Sequence, residues 1–203
     1  MLEHVPPVEP IPEAPPGTDI PTPEEISMLL DHLPRSSKAV VWFIAETGCR
    51  SGEAFNLTWD CIDEENSRVE FKSKDGWTPK TRQSQRQVPI GNTLLDALRA
   101  LPKRGRYVFP SKSDPNKPRD NVRKSLAAAI VRAGITRNGE PMRITPHVLR
   151  KAFATRQAEN GTPERVLQAM LGHAAGTRVT NLHYVQATDD AKLQAAKITQ
   201  IHG

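Results

Sequence analysis

Apolar residues at helical spacing dominate this chain from residue 22 onward, and two-residue alternation interrupts them in one place only. Ile26, Leu29, Leu30 and Leu33 form one stripe, and Val40, Val41, Phe43 and Ile44 form a second. Leu94, Leu95, Leu98 and Leu101 form a third, and Val122, Leu126, Ile130 and Ala133 a fourth. Such spacing marks helices that each bury one face. A short helix is predicted over Glu53 to Leu57, two more behind Pro146 and behind Thr162-Pro163-Glu164-Arg165, and a last one in the final 20 residues. Gly48, Gly134, Gly161 and Gly172 fall where four of these stripes stop, as expected of a residue that takes a left-handed C-cap without steric cost. The exception is Arg68 to Ser73, where Val69 and Phe71 alternate with Glu70 and Lys72, followed less cleanly by Gln85 to Ile90. Those two segments read as half-buried strands. Asp75-Gly76-Trp77-Thr78-Pro79-Lys80 between them reads as a long hairpin connection with Lys80 at or near its tip. With a brief strand at Cys61-Ile62, the expected fold is α+β, mainly helical, with a small three-stranded antiparallel sheet.

The helical series begins at a recognisable boundary. Residues 1–21 hold seven prolines and little to bury, which predicts a flexible segment or linker. Thr22-Pro23-Glu24-Glu25 is a helix start, with Thr22 as cap, Pro23 at the first helical position and Glu25 completing a capping box. The folded domain is therefore placed at 22–203. Aromatic residues make up only 5% of the chain, so its core must come from Leu, Ile, Val and Ala, which suits packed helices. No apolar run approaches the roughly 20 residues of a membrane span, and the first residues lack a signal-peptide pattern; a cytoplasmic location is expected. Cys49 and Cys61 show no metal-ligand spacing and read as reduced thiols.

Charge is distributed unevenly. Residues 1–34 contain no Lys or Arg but seven acids, so the rest of the chain sets all 28 basic residues against the 16 acids left of 23. A body this basic suits a polyanionic partner. A group able to act on a phosphodiester is also present. Fixed cations with directed donors are needed around a pentavalent phosphorus, and arginine supplies them as a fork charged at any working pH. Arg50 and Arg150 are of that type. A nucleophile, a base and an acid are needed as well, and Tyr184, His147 and Lys80 have the right chemistry. Taken singly, each has a duller reading: a surface arginine, a solvated lysine, a core tyrosine, a histidine at a helix end. Lys74 is a nearby competitor for Lys80.

The order and local contexts carry more weight. Thr47-Gly48-Cys49-Arg50-Ser51-Gly52-Glu53 comes first, then Pro79-Lys80-Thr81-Arg82 running to Val88-Pro89. His147-Val148-Leu149-Arg150 with Phe153-Ala154-Thr155 follows, then Leu171-Gly172-His173, and finally Tyr184. This series resembles the tyrosine recombinase (phage integrase) family over residues 22 to 190. The resemblance implies that Arg50 and Arg150 grip the scissile phosphate and that Lys80 protonates the departing 5′-hydroxyl. It implies that His147 assists proton transfer at the tyrosine, that His173 hydrogen-bonds the phosphate, and that Tyr184 forms a 3′-phosphotyrosyl link. No metal, ATP or other cofactor is implied. Double-stranded DNA is the implied partner, and a homotetramer on DNA the implied assembly, with a monomer expected off it. Residues 22–203 would be the catalytic domain. Family members place a helical core-binding domain before it; with only the proline-rich segment there, weak and salt-dependent DNA binding is expected. Arg82, Arg86 and the region from Lys117 to Lys124 are the expected backbone contacts. A non-catalytic DNA-binding module of the same fold and a type IB-like topoisomerase are the alternatives, of which the second uses much the same residues.

Overall fold

The computed structural model describes residues 20–74, 76–78 and 85–172. Helix α1 (Pro23–Asp31) starts as its sequence dictates: the Thr22 hydroxyl accepts the Glu25 amide and the Glu25 carboxylate accepts the Thr22 amide. Helix α2 (Arg35–Thr47) is the centre of the molecule. It is buried continuously from Ala39 to Thr47, and it packs against α1 and against the helices α3 (Ser51–Phe55), α4 (Asn92–Arg99) and α6 (Pro146–Glu159). A helix apolar on nearly every side can only sit inside. Phe43, fully buried, meets Phe71 at 6.3 Å and Phe109 at 5.5 Å between ring centres, which ties α2 to the sheet and to the 107–110 segment.

The sheet is antiparallel in the order β1-β2-β3, with β1 at Ile62–Asp63, β2 at Arg68–Phe71 and β3 at Arg86–Pro89. Val69 lies opposite both Ile62 and Val88, so the predicted apolar face is continuous. The remaining described helices are α5 (Arg123–Ala133), which packs on α1, and α7 (Glu164–Leu171), which packs on α6 and on β3. Gly48, Gly134 and Gly172 are left-handed C-caps, as their positions in the sequence predict.

Two local expectations needed correction. Cys61 belongs to a 3-10 turn, Trp59–Cys61, and the strand begins only at Ile62. A second hairpin, β4 (Thr136–Arg137) with β5 (Glu140–Pro141), was not foreseen. Its turn is Asn138-Gly139, both at positive φ (53° and 82°), the pair that two-residue hairpins favour. The predicted C-terminal helix lies outside the described residues. Among those described, the architecture is α+β and mainly helical, with the three-stranded antiparallel sheet on one side of α2.

Candidate active site

Arg50 owes its position to the way α2 stops. Gly48 turns the chain at φ 61°, and a Cβ there would lie 2.3 Å from the Phe153 ring, so only glycine lets α6 pack this close. Two residues later Arg50 occupies the N-cap of α3 in extended conformation. Glu53, in the first turn of α3, accepts the Arg50 amide at 2.7 Å and the Arg50 guanidinium at 3.3 Å.

Arg150 comes from α6. That helix is started by Thr145, whose hydroxyl accepts the Val148 amide, and by Pro146 at its first position. One turn in, Arg150 is buried and donates from Nη1 to the Gly48 carbonyl at 2.6 Å and from Nη2 to the Leu171 carbonyl at 2.8 Å. Burial, reinforced by the nearby charges of Arg50 and Arg86, pushes its pKa down to about 10, which still leaves it charged at neutral pH.

A third arginine completes the group. Arg86, expected to contact DNA, instead has a side chain only 6% exposed. Its Nη1 and Nη2 bind the two Glu53 oxygens at 2.9 and 3.0 Å, and its Nε donates to the Met170 carbonyl at 2.6 Å. Arg119 is a second correction of the same kind: it is buried and donates to Ser36 O and Ser37 Oγ. Lys117, Arg123 and Lys124 are exposed.

The three arginines meet at the end of α7. Arg86 takes the Met170 carbonyl, Arg150 takes Leu171, and Arg50 reaches Gly172 with both Nη atoms at 3.5 Å. A helix C-terminus exposes unsatisfied carbonyls and a partial negative charge, so it is a natural seat for guanidiniums. Glu53 is the carboxylate in their midst. Burial pushes its pKa up, but the hydrogen bonds and charges of Arg86 and Arg50 outweigh burial and hold it below the ordinary value. Cys49, buried beside them, is pushed up to about 12 by burial and by Glu53, so its thiol stays protonated and inert.

His147 stands apart from this buried cluster. It is three residues before Arg150 on α6, yet it is exposed, and with Ser51 it lines an open groove of about 930 Å³ whose apolar wall includes Phe55, Leu126, Ile130 and Met142. Lys74 is committed elsewhere: its ammonium donates to Thr58 Oγ1 at 2.8 Å and lies over the Trp77 ring. Lys80, Arg82, His173 and Tyr184 lie outside the described residues. Of the six predicted site residues, then, the structure describes Arg50, His147 and Arg150, and it joins the two arginines through the last turn of α7. Sequence reasoning assigned no role to Glu53. The sequence carries a usable signal for both Glu53 and the burial of Arg86: Glu53 is three positions from Arg50 on a helix start, and Arg86 is two positions from Val88 on a strand.

The described residues thus form a helix-rich fold whose arginines cluster at the junction of three helices and a hairpin strand. The phage integrase family matches residues 21–190, and the chain belongs to that family. The tyrosine recombinase XerD of Mycobacterium tuberculosis is 34% identical over 152 residues, covering 70% of this chain and 45% of the relative. The chain thus spans about half the length of the curated relatives it matches. The crystal structure of XerA recombinase superposes with a TM-score of 0.62 at 24% identity, covering 98% of this chain and 62% of that one. The Tn1549 transposon integrase in complex with transposon right end DNA gives 0.65 at 20% identity, covering 77% of this chain and 58% of the other. Both structures share the fold.

Proposed function

We propose that this chain is the strand-transfer domain of a site-specific DNA recombinase, which cleaves and rejoins DNA through a covalent phosphotyrosine. The observation that carries the reading is the convergence of Arg50 and Arg150 on adjacent carbonyls, Gly172 and Leu171, from helices far apart in the chain. Two guanidiniums held this way present a fixed positive site for one phosphate. Membership of the phage integrase family supports the reading, and so does the Tn1549 relative's complex with DNA.

In the proposed step, the Tyr184 oxygen attacks the scissile phosphorus, the bond to the 5′-oxygen breaks, and the phosphorus is left bonded to both the Tyr184 oxygen and the 3′-oxygen of the cleaved strand. His147 assists removal of the phenolic proton, and Lys80 donates a proton to the departing 5′-hydroxyl. Arg50, Arg150 and His173 stabilise the charge that develops on the non-bridging oxygens. Because the link conserves the energy of the broken bond, a 5′-hydroxyl from another strand reverses the step without ATP. Residues 22–203 are the proposed catalytic unit, double-stranded DNA its partner, and a homotetramer on DNA the working assembly.

A nicked suicide duplex carrying candidate crossover sequence tests this. A covalent protein–DNA adduct is expected with the wild-type chain and none with Tyr184→Phe, while Arg150→Ala slows its formation by about 100- to 1,000-fold. No adduct from the wild type, or an undiminished one from Tyr184→Phe, overturns the reading. Relaxation of supercoiled plasmid without strand exchange assigns the same chemistry to a topoisomerase.

A further inference from the structure

Arg86 joins three elements that the proposed chemistry needs in register. It sits on β3 two residues before Val88, so strand alternation turns it to the covered face, where it lies opposite Phe71 with its guanidinium 4.4 Å from that ring's centre. From there one edge of the fork binds both oxygens of Glu53 on α3, and Nε binds the Met170 carbonyl on α7. The end of α7 is shaped to this group: a Cβ on Gly172 would lie 2.8 Å from Arg86 Nη1. A lysine in its place has its three donors on one nitrogen, and cannot meet the Glu53 carboxylate with one planar edge while reaching the Met170 carbonyl from another position.

We infer that Arg86 is a positioning residue of the strand-transfer site, setting the start of α3, which carries Arg50, against the last turn of α7, whose carbonyls receive Arg50 and Arg150. The inference rests on the strand-transfer reading above. It also makes Glu53 the relay. The carboxylate holds the Arg50 amide and guanidinium, and the charged or titratable groups facing this cluster are Arg50, Arg86, Arg150 and the neutral thiol of Cys49. Without Arg86, burial of Glu53 is opposed chiefly by Arg50, and the carboxyl moves up toward protonation in mild acid, which loosens its hold on Arg50.

The experiment follows single-turnover adduct formation on the suicide duplex across pH for the wild type, Arg86→Gln and Arg86→Lys, with duplex affinity and thermal unfolding measured alongside. Arg86→Gln is expected to slow adduct formation by about 100-fold near about pH 6 but only about 10-fold near about pH 8, with affinity changed less than about threefold. Arg86→Lys keeps the charge, so it is expected to restore the wild-type shape of the pH profile while recovering only part of the rate. A folded Arg86→Gln with wild-type rates, or one slowed equally at every pH in proportion to lost folded protein, overturns the inference. Should Arg86→Gln fail to fold, Arg86→Lys decides: a wild-type rate overturns the inference, and a slower rate at unchanged affinity upholds it. If the wild type forms no adduct, the strand-transfer reading fails first and takes this inference with it.

Discussion

Glu25 and Glu53 occupy the same place in two different helices. Each is the third residue of its helix, each accepts the amide of its own N-cap residue, and each is held at both oxygens by an arginine from a hairpin strand. The Arg137–Glu25 contacts are the shorter, at 2.5 and 2.6 Å, against 2.9 and 3.0 Å for Arg86–Glu53. Yet the first pair is 30% and 20% exposed and the second 6% and 3%. The caps differ too. Thr22 returns a hydroxyl to the Glu25 amide, whereas Arg50 has no acceptor to return, and α3 starts with half a capping box. A local rule is broken where a guanidinium is wanted. Burial and shared partners, rather than bond length, separate an ion pair that joins two surface elements from one that sits in the proposed site.

The largest expected difference is in stability. Glu53→Ala leaves the buried Arg86 without its carboxylate and beside the half-buried Arg50, and should cost about 3–5 kcal/mol in urea unfolding, against about 1–2 kcal/mol for Glu25→Ala. Equal losses would break the comparison. The glycine beside each arginine offers a second contrast. Gly172→Ala combines a φ of 64° with a Cβ pressed on Arg86 and should cost about 2–4 kcal/mol, while Gly139→Ala, at φ 82° with nothing within 4 Å, should cost about 1–2 kcal/mol.

Acid sharpens the comparison further. Arg137 holds the Glu25 carboxyl below its ordinary value, and Arg86 with Arg50 does so for Glu53 against the opposing effect of burial. A depressed carboxyl contributes stability that is complete above its unfolded pKa of about 4.3 and lost as pH falls through the folded value. The advantage of wild type over Glu53→Gln in thermal unfolding should therefore hold steady from about pH 8 to about pH 5 and shrink below about pH 4. Salt gives the smallest effect. Raising it from about 0.1 M to about 1 M should roughly halve the cost of Glu25→Ala and leave that of Glu53→Ala nearly unchanged.

Local rules made most of the fold legible. The Thr22 box, the proline and threonine starts of α1 and α6, and the glycine stops of α2, α5 and α7 all act within a few residues, and the sequence shows them directly. The β4–β5 hairpin is equally local in its Asn138-Gly139 turn, but flanking strands of two residues each carry no alternation for the sequence to show. The site was harder for a different reason. Arg86 reads as a solvated charge unless its position is tied to Val88, and the partners that bury it, Glu53 and Met170, lie 33 and 84 residues away. Only strand pairing and the packing of α7 on β3 bring them together. His147 and Arg150 share an i, i+3 spacing that sequence alone reads as one face, but His147 falls on the exposed stripe of α6, which continues at Lys151 and Ala158, and Arg150 on the buried face with Leu149, Phe153 and Gln157. One is left at the surface and the other covered.

The junction at α7 also bears on how the protein is made. Arg50 and Gly172 are 122 positions apart, Gly48 and Arg150 are 102, and the three acceptor carbonyls follow everything they bind. During synthesis Glu53 and Gly48 are therefore in place early, while the α7 carbonyls that the arginines share emerge last, and contacts this distant in sequence form late. A chain ending before residue 170 keeps the contacts to Glu53 and Gly48 but lacks the three carbonyls on which the arginines converge. The arrangement proposed to act on DNA is withheld until translation of the domain is nearly finished.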